Sequence, residues 1–199
     1  MAGSNKVKFG LKNCMYAVAT ETYSEQTGEW TTEYGTPKHL AGSVSISLSK
    51  EVAENIFRAD DSDYYVTDKN NGYSGSYELA LMPADAFVEI FGQFRDENGY
   101  LVESETDKTK PVALLFEIDG DQTATKFCFF RVQLQKPNIE GETTGDTIEP
   151  KTDSCDLRIM PRKGDKRIGV RADDKTDAQK YADFYKAVPT VGGPATAEG

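Results

Sequence analysis

The fold can be predicted most directly from Val112–Leu134, with the sequence VALLFEIDGDQTATKFCFFRVQL. Its first seven residues are nearly all apolar and predict a central strand. Asp119-Gly120 follows, and Asp-Gly between two runs of β-forming residues is a strong signal for a hairpin turn. Lys126–Leu134 is therefore predicted to be the antiparallel partner of the first strand.

This second strand carries apolar residues on both faces. The residues at alternate positions from Cys128 to Leu134 are expected to share one face. Phe127 and Phe129 make the opposite face apolar as well, so a helix or a neighbouring subunit must cover them. We predict that these two rings lie at a subunit interface.

Other segments show the two-residue period of half-buried strands. Val44–Leu48 alternates apolar residues with serine, and Cys155–Ile159 alternates apolar with charged residues. Asn71-Gly72 and Asn98-Gly99 indicate tight turns. The sequence therefore predicts a mainly β fold, an antiparallel β-sandwich or barrel of two packed sheets.

One or two helices are predicted to flank the sheets. Ala84–Phe94 carries a broad apolar stripe behind Pro83, a residue tolerated at the start of a helix. Thr176–Gln179 has the pattern of a capping box, and apolar residues follow at helical spacing until Pro189. Both stripes are expected to pack on the sheets rather than to bind a ligand.

Length and composition limit the class of protein. A chain of 199 residues, 38% of them hydrophobic, fits a single domain with a real core. No apolar run approaches the ~18–20 residues that span a bilayer, and the start of the sequence has no apolar signal segment. The three cysteines lack paired spacing and are expected to be small buried hydrophobic residues in a reducing compartment.

The net charge of −10 is concentrated in the middle of the chain. Residues 51–125 contain 17 acidic and 5 basic residues, a net charge of −12, and the rest of the chain carries +2. Such a surface does not attract a phosphate backbone, which argues against a conventional nucleic-acid-binding protein.

No set of residues suggests catalysis, so we expect no enzyme activity, no cofactor and no metal. His39 is the only histidine, and no nucleophile motif accompanies it. Asp60, Asp61 and Asp63 are the best candidates for a cation site, but the spacing of an EF-hand loop fails. The basic run Arg162–Arg167 is interpreted as a solvated or subunit-pairing turn.

We predict one domain over residues 1–190, with an N-terminal arm at 1–10 and a flexible tail at 191–199. Within it, 49–75 is expected to be a long irregular assembly loop, and 20–36 a polar irregular stretch.

The long loop is rich in aromatic residues. Phe57, Tyr64 and Tyr65 are predicted to anchor on a neighbouring subunit, because aromatic residues dominate interface hot spots. The alternative is that they complete the core of their own subunit.

Seven groups of short segments, in one order, carry a family resemblance. They are Asn5–Ala19, Tyr34–Pro37, Gly42–Leu48, Tyr64–Val66 with Asn70–Gly75, Leu115–Gly120, Ile148–Pro150 and Asp173–Asp177. On these segments the chain resembles, from Asn5 to about Val188, the major tail proteins of non-contractile siphophages that infect Gram-positive bacteria. The stretch around Trp30 and the C-terminal tail depart from the family pattern.

The resemblance implies a structural protein of the virion tail, synthesised in the cytoplasm of the host bacterium. Subunits of that family join through long loops and terminal arms into hexameric rings, which self-assemble into a stacked tube. DNA passes through the lumen during genome ejection without specific binding. Tape-measure and tail-terminator proteins are the further partners implied, with no membrane and no catalytic residues.

The acidic residues acquire a use in such a tube. As a hypothesis, Asp60, Asp61, Asp63 and Glu78 face the lumen, where carboxylates repel the DNA backbone and let it slide. The alternative is that they only keep an abundant protein soluble.

A different functional class stays open. A monomeric β-sandwich binding module, for example for carbohydrate, would use exposed aromatic residues such as Trp30 and Tyr34. A hydrolase is a third alternative, because any acidic β protein contains candidate carboxylate pairs.

Overall fold

The computed structural model describes residues 5–59, 62–120, 122–139, 141 and 151–193, with only the backbone described for 53–59 and 62–68. The elements are β1 (Lys8–Ser24), β2 (Glu29–Tyr34), β3 (Lys38–His39), β4 (Ser43–Ala59), β5 (Ser62–Leu79), α1 (Ala84–Glu89), β6 (Phe94–Arg95), β7 (Leu101–Val102), β8 (Val112–Gly120), β9 (Thr125–Leu134), β10 (Asp153–Ile159), β11 (Gly169–Ala172) and α2 (Ala178–Ala182). The predicted fold class is confirmed: the chain is mainly β, with antiparallel sheets and two short helices.

The main sheet has nine strands and curls until its two ends approach each other. Its order is β2-β1-β8-β9-β10-β5-β4, with β3 added on β1 and β11 on β9, while β6 and β7 form a separate ladder. β3 pairs with β1 and leads through three residues into β4, at the other end of the sheet. The N–H of Leu40 in this link donates to the carbonyl of Cys14 at 2.9 Å. The two halves of the sheet therefore face each other, as in a sandwich.

Two hydrophobic cores hold the fold together. The first core lies between the halves of the sheet, and Tyr77, Phe91 and Leu114 are among its fully buried members. The second core lies on the opposite face of β8, under the C-terminal segment, and it includes Leu115 and Phe184. All three cysteines are buried and free, as predicted.

Strand β9 contributes to both cores because it contains a bulge. The register between β8 and β9 shifts next to Phe130. As a result, Cys128 and Phe130 pack in the second core, whereas Val132 and Leu134 pack in the first. The prediction that these four residues share one face is therefore wrong, because alternation in sequence does not reveal an inserted residue.

Both predicted helices exist but are shorter than expected. The first ends at Glu89 rather than Phe94, because Gly92 adopts a positive φ of 79° and reverses the chain. The second is capped by Asp177 rather than Thr176: its carboxylate accepts from the N–H groups of Gln179 and Lys180. The aromatic residues that follow pack on the second core, which confirms the predicted packing against the sheet.

The predicted long loop at 49–75 is wrong as a description of the backbone. Strands β4 and β5 run through it as one antiparallel hairpin, paired from Ser43–Leu79 to Ala59–Ser62. β10 pairs with β5 only over Tyr73–Leu79, so the outer part of the hairpin is a two-stranded ribbon. A ribbon without a core face has no reason to alternate apolar and polar residues, and this is why its sequence looks irregular.

One of the three predicted tight turns is confirmed: Asn98-Gly99 joins β6 to β7. The hairpin of β8 and β9 is also present, but Asp119-Gly120 lies at the end of β8, where it pairs with β1, and the connection to β9 follows it. Asn71-Gly72 instead lies inside β5, where the register with β4 shifts. Glycine within a strand often marks such a bulge or a close backbone approach.

The polar stretch at 20–36 is also more regular than predicted. The ends of β1 and β2 form a hairpin through it, in which Tyr23 lies opposite Trp30. The turn between the two strands includes Thr27-Gly28, and Gly28 donates its N–H to the carbonyl of Ser24 at 2.8 Å.

Candidate interaction surfaces

The outer face of β9-β10-β5-β4 is a continuous polar surface. In the first core the inward residues of these strands are apolar, and the outward positions between them form three rows across the sheet. We call this surface the polar face: Ser45, Glu78 and Ser154; Ser47, Ser76 and Asp156; Ser49, Ser74, Arg158 and Gln133. An open depression of about 970 Å³ lies over it.

The charge of the polar face is acidic. Arg158 is neutralised by Glu51 at its margin, with 3.2 Å between guanidinium nitrogen and carboxylate oxygen. Glu78 accepts hydrogen bonds from the hydroxyls of Thr152 at 2.5 Å and Ser45 at 3.0 Å, and these bonds lower its pKa. Glu78 and Asp156 therefore remain as charges without a cationic partner within the face.

A second feature is the ribbon formed by the outer part of β4 and β5, residues 51–59 and 62–72, which we call the arm. Nine residues of β4 lie in it, and at ~3.3 Å per residue they extend about 30 Å. Among the described strands, β4 and β5 pair there only with each other. Isolated two-stranded hairpins are marginally stable in water, so such an arm is suited to binding another surface.

Four of the predicted site residues lie on the arm. Phe57 lies opposite Tyr65 in the backbone register, Asp63 lies opposite Arg58, and Tyr64 lies between them in β5. Their side chains, and the whole of Asp60 and Asp61, lie outside the described residues. Their roles at an interface or in a lumen stay predictions. Glu78 is separate from them, on the polar face.

Phe127 and Phe129 lie elsewhere, at the margin of the first core. The ring of Phe127 stacks on Phe116 with 5.2 Å between centroids, and Phe129 lies 5.5 Å from the ring of Tyr73. Their own subunit therefore covers much of each ring, although both stay partly exposed. The predicted interface role concerns only this remaining surface.

The sheet also presents two edges. β2 and β4 stand at its opposite ends, and among the described strands each has a hydrogen-bonded neighbour on one side only. Free strand edges are templates for pairing with another chain.

The aromatic residues proposed for sugar binding both contact other side chains or backbone of their own subunit. Trp30 is 37% exposed, but the ammonium of Lys163 lies 3.6 Å from its ring centroid and Tyr23 packs at 5.2 Å. Tyr34 donates its hydroxyl to the carbonyl of Phe130 at 2.9 Å, and burial raises its pKa to about 12. Tyr34 is therefore held by its own subunit, whereas the exposed part of Trp30 borders an open depression of about 520 Å³.

The basic run at 162–167 is a structural turn rather than an open cationic patch. Arg162 pairs with Asp165, and Lys163 pairs with Glu21 at 3.1 Å. Arg167 donates to the carbonyls of Val191 and Gly192 at 2.8 and 3.1 Å. These contacts tie the turn to β1 and to the C-terminal segment.

Glu21 joins this turn to β9, and we expect its charge to stabilise the fold. Its carboxylate accepts from Nε of Arg131 at 2.6 Å and pairs with Lys163. Burial opposes ionisation, but the two cations outweigh it and lower the pKa of Glu21. Glu21→Gln should reduce the free energy of unfolding at pH 7 by about 1–2 kcal/mol.

The stabilisation by Glu21 should depend on pH. A carboxyl whose pKa is lowered by folding stabilises the protein above its unfolded pKa, about 4.3, and this stability is lost as the pH falls through the folded pKa. The difference between wild type and Glu21→Gln in urea unfolding should therefore shrink between pH 5 and pH 3. The exposed Glu33→Gln is the control; a gap that is constant with pH would contradict the prediction.

The described residues offer no metal site, since no three His, Cys, Asp or Glu side chains among them come together. Asp119 forms an ion pair with Lys12. His39 is exposed on β3. No helix in the described part of the chain is long and apolar enough to cross a membrane.

Comparisons with known proteins leave the family open: no protein-family model matches the chain, and no curated protein matches it.

Proposed function

We propose that this chain is the repeating subunit of a phage tail tube. In this role it forms hexameric rings in the virion, and the rings stack into a hollow tube through which DNA leaves. The observation that carries the proposal is the arm, an acidic ribbon that extends about 30 Å beyond the strands of its own sheet. The resemblance of the sequence segments to major tail proteins supports the same assignment.

The strand edges and the arm are consistent with assembly in two directions. β2 and β4 are different surfaces, so a contact between them on neighbouring copies would be head-to-tail. Head-to-tail contacts close into a ring when the rotation between copies divides a full turn. The arm reaches beyond the sheet and is our candidate for contacts with a further subunit.

The polar face is our candidate for the lining of the lumen. It carries serine hydroxyls and the excess acidic charge of Glu78 and Asp156, and no apolar side chain occurs in its three rows. Lys and Arg bind a DNA backbone by neutralising phosphates and releasing their counterions into solution. Arg158 on this face is paired with Glu51, and Lys136, which also lines the depression, is paired with Glu103. DNA would pass over such a wall without being held.

Assembly is the property that tests the proposal. Negative-stain electron microscopy and sedimentation velocity across a concentration series should reveal rings or hollow tubes. If the protein is monomeric alone, the same measurement is repeated with the tape-measure protein and the initiator complex of the tail. A chain that stays monomeric in both settings and binds a glycan in a screen would overturn the proposal in favour of the binding module.

Reversing the charge of the polar face should make this surface bind DNA. We expect Glu78→Lys/Asp156→Lys to form tubes of normal diameter that retain linear double-stranded DNA. Each added cation contributes about −0.9 to the slope of log K against log salt. Filter binding at several salt concentrations measures this.

The matched control is Glu97→Lys, which changes one charge at an exposed position in the β6–β7 turn. We expect tubes of this variant, like those of the wild type, to retain no DNA. Equal retention by both variants would place the polar face outside the lumen.

A further inference from the structure

The C-terminal segment, residues 173–193, covers the second core like a strap. Phe184 is buried there, and Tyr181, Tyr185 and Val188 pack around it. The only helix in the strap, α2, is five residues long and has no buried residue. An open depression of about 440 Å³ remains between β11 and the strap, so the packing at this place is incomplete.

Two charged side chains lie beneath the strap. Glu117 on β8 and Lys126 on β9 are opposite each other in the register, and each is only 8% exposed. Lys126 donates to the carbonyl of Tyr181 at 2.8 Å and lies 3.9 Å from the centroid of that ring. Glu117 accepts from the hydroxyl of Tyr185 at 3.2 Å and from the amide of Asn13 at 2.8 Å. The strap thus supplies hydrogen-bond partners to both buried charges.

These hydrogen bonds matter differently when the strap is packed on the sheet, which we call closed, and when it is lifted away, which we call open. A buried charge is costly unless it is hydrogen-bonded, so the closed strap must keep the register that brings Tyr181 and Tyr185 to these partners. When the strap lifts, Glu117 and Lys126 regain water, which an all-apolar face would not do. The free energy needed to open the strap is therefore lower than the apolar area it buries would suggest.

We propose that the strap opens and closes as a local unit, with Glu117 and Lys126 as its latch, while the sheet beneath stays folded. The turn from Asp173 to Thr176, closed by the N–H of Thr176 on the carbonyl of Asp173, is the hinge. This behaviour concerns the single subunit and does not depend on tube formation.

Hydrogen exchange measured by mass spectrometry tests the proposal. In the wild-type protein, peptides from the strap should exchange at least tenfold faster than peptides from β8 and β9, since local opening needs less free energy than global unfolding. Tyr185→Phe should speed exchange in the strap about fivefold and leave β8 and β9 unchanged.

The chain offers a matched control. Tyr16 also donates its hydroxyl to a glutamate, Glu89, at 3.0 Å, but it lies in the first core. Tyr16→Phe removes the same chemistry away from the strap, and strap exchange should not change. If both variants alter the strap equally, or if the strap and β8–β9 exchange together in the wild type, the proposal is wrong.

A second pair of variants tests the charges themselves. Lys126→Met leaves Glu117 buried without the cation beside it, and strap exchange should rise about tenfold. Adding Glu117→Gln removes the isolated charge. The logarithm of the exchange rate in the strap should then return at least halfway to its wild-type value. A double variant that is no better protected than Lys126→Met would show that the two charges do not act as one latch.

Discussion

Shortening the arm is expected to abolish tube formation without unfolding the subunit. The variant joins Val52 to Asn70 through an Asn-Gly turn; these two residues are direct partners in the register, so a two-residue turn fits between them. Among the described strands the backbone of the arm pairs only with itself, and β10 pairs with β5 only from Tyr73 onward. We expect thermal unfolding by circular dichroism to be nearly unchanged, and sedimentation and electron microscopy to show monomers alone.

The control keeps the arm and changes two aspartates between β4 and β5 in the sequence. Asp60→Asn/Asp61→Asn removes two charges at full length and should still assemble, which separates the ribbon from its acidity. Tubes of normal diameter from the shortened chain would contradict the assembly role of the arm. Unfolding of the shortened chain would instead indicate that the arm stabilises its own subunit.

A finer variant tests the predicted aromatic anchors. Tyr64→Ala/Tyr65→Ala should fold and remain monomeric if these rings bind a neighbour. If the variant unfolds, the rings belong to the core of their own subunit. The two outcomes correspond to the two interpretations that the sequence leaves open.

The sequence predicts the elements of this fold better than their pairing. The hairpin of β8 and β9 is evident from two apolar runs on either side of Asp119-Gly120, although this Asp-Gly pair lies within the end of β8 and not in the connection. The alternation of Val44–Leu48 identifies one strand of the polar face. The rows of that face depend on the register between four strands, β4, β5, β9 and β10. The first two are distant in sequence from the last two, so no local pattern encodes this register.

The features missed by sequence analysis share a physical cause. The bulge near Phe130 changes the face of β9 without altering its apparent alternation. The latch was missed because Glu117 and Lys126 resemble exposed charges on strands until the strap is placed above them. Both features are set by tertiary contacts. A signal for the arm did exist, in its β-forming aromatic residues, but its acidity suggested a loop.

At two glycines near the base of the arm, neighbouring backbones approach too closely for a side chain. A Cβ at Gly75 would overlap the carbonyl of Ser47, and a Cβ at Gly72 would overlap the carbonyl of Ile159. Both obstacles are backbone atoms of paired strands, so they cannot rotate away as a side chain could. Gly75→Ala should therefore lower the free energy of unfolding by about 3 kcal/mol.

Comparing alanine variants at Gly72 and Gly99 with Gly75→Ala separates this steric effect from backbone strain. Gly72 has a φ of +110° in addition to the overlap, so Gly72→Ala should cost about 1–2 kcal/mol more than Gly75→Ala. Gly99 has a φ of +87° but nothing within 4 Å of its Cβ position, so Gly99→Ala should cost only about 1 kcal/mol. Urea unfolding of the three variants should give the order Gly72, Gly75, Gly99. If Gly75→Ala is no worse than Gly99→Ala, the strands at the base of the arm are not packed as closely as described, and the direction of the arm would not be fixed by them.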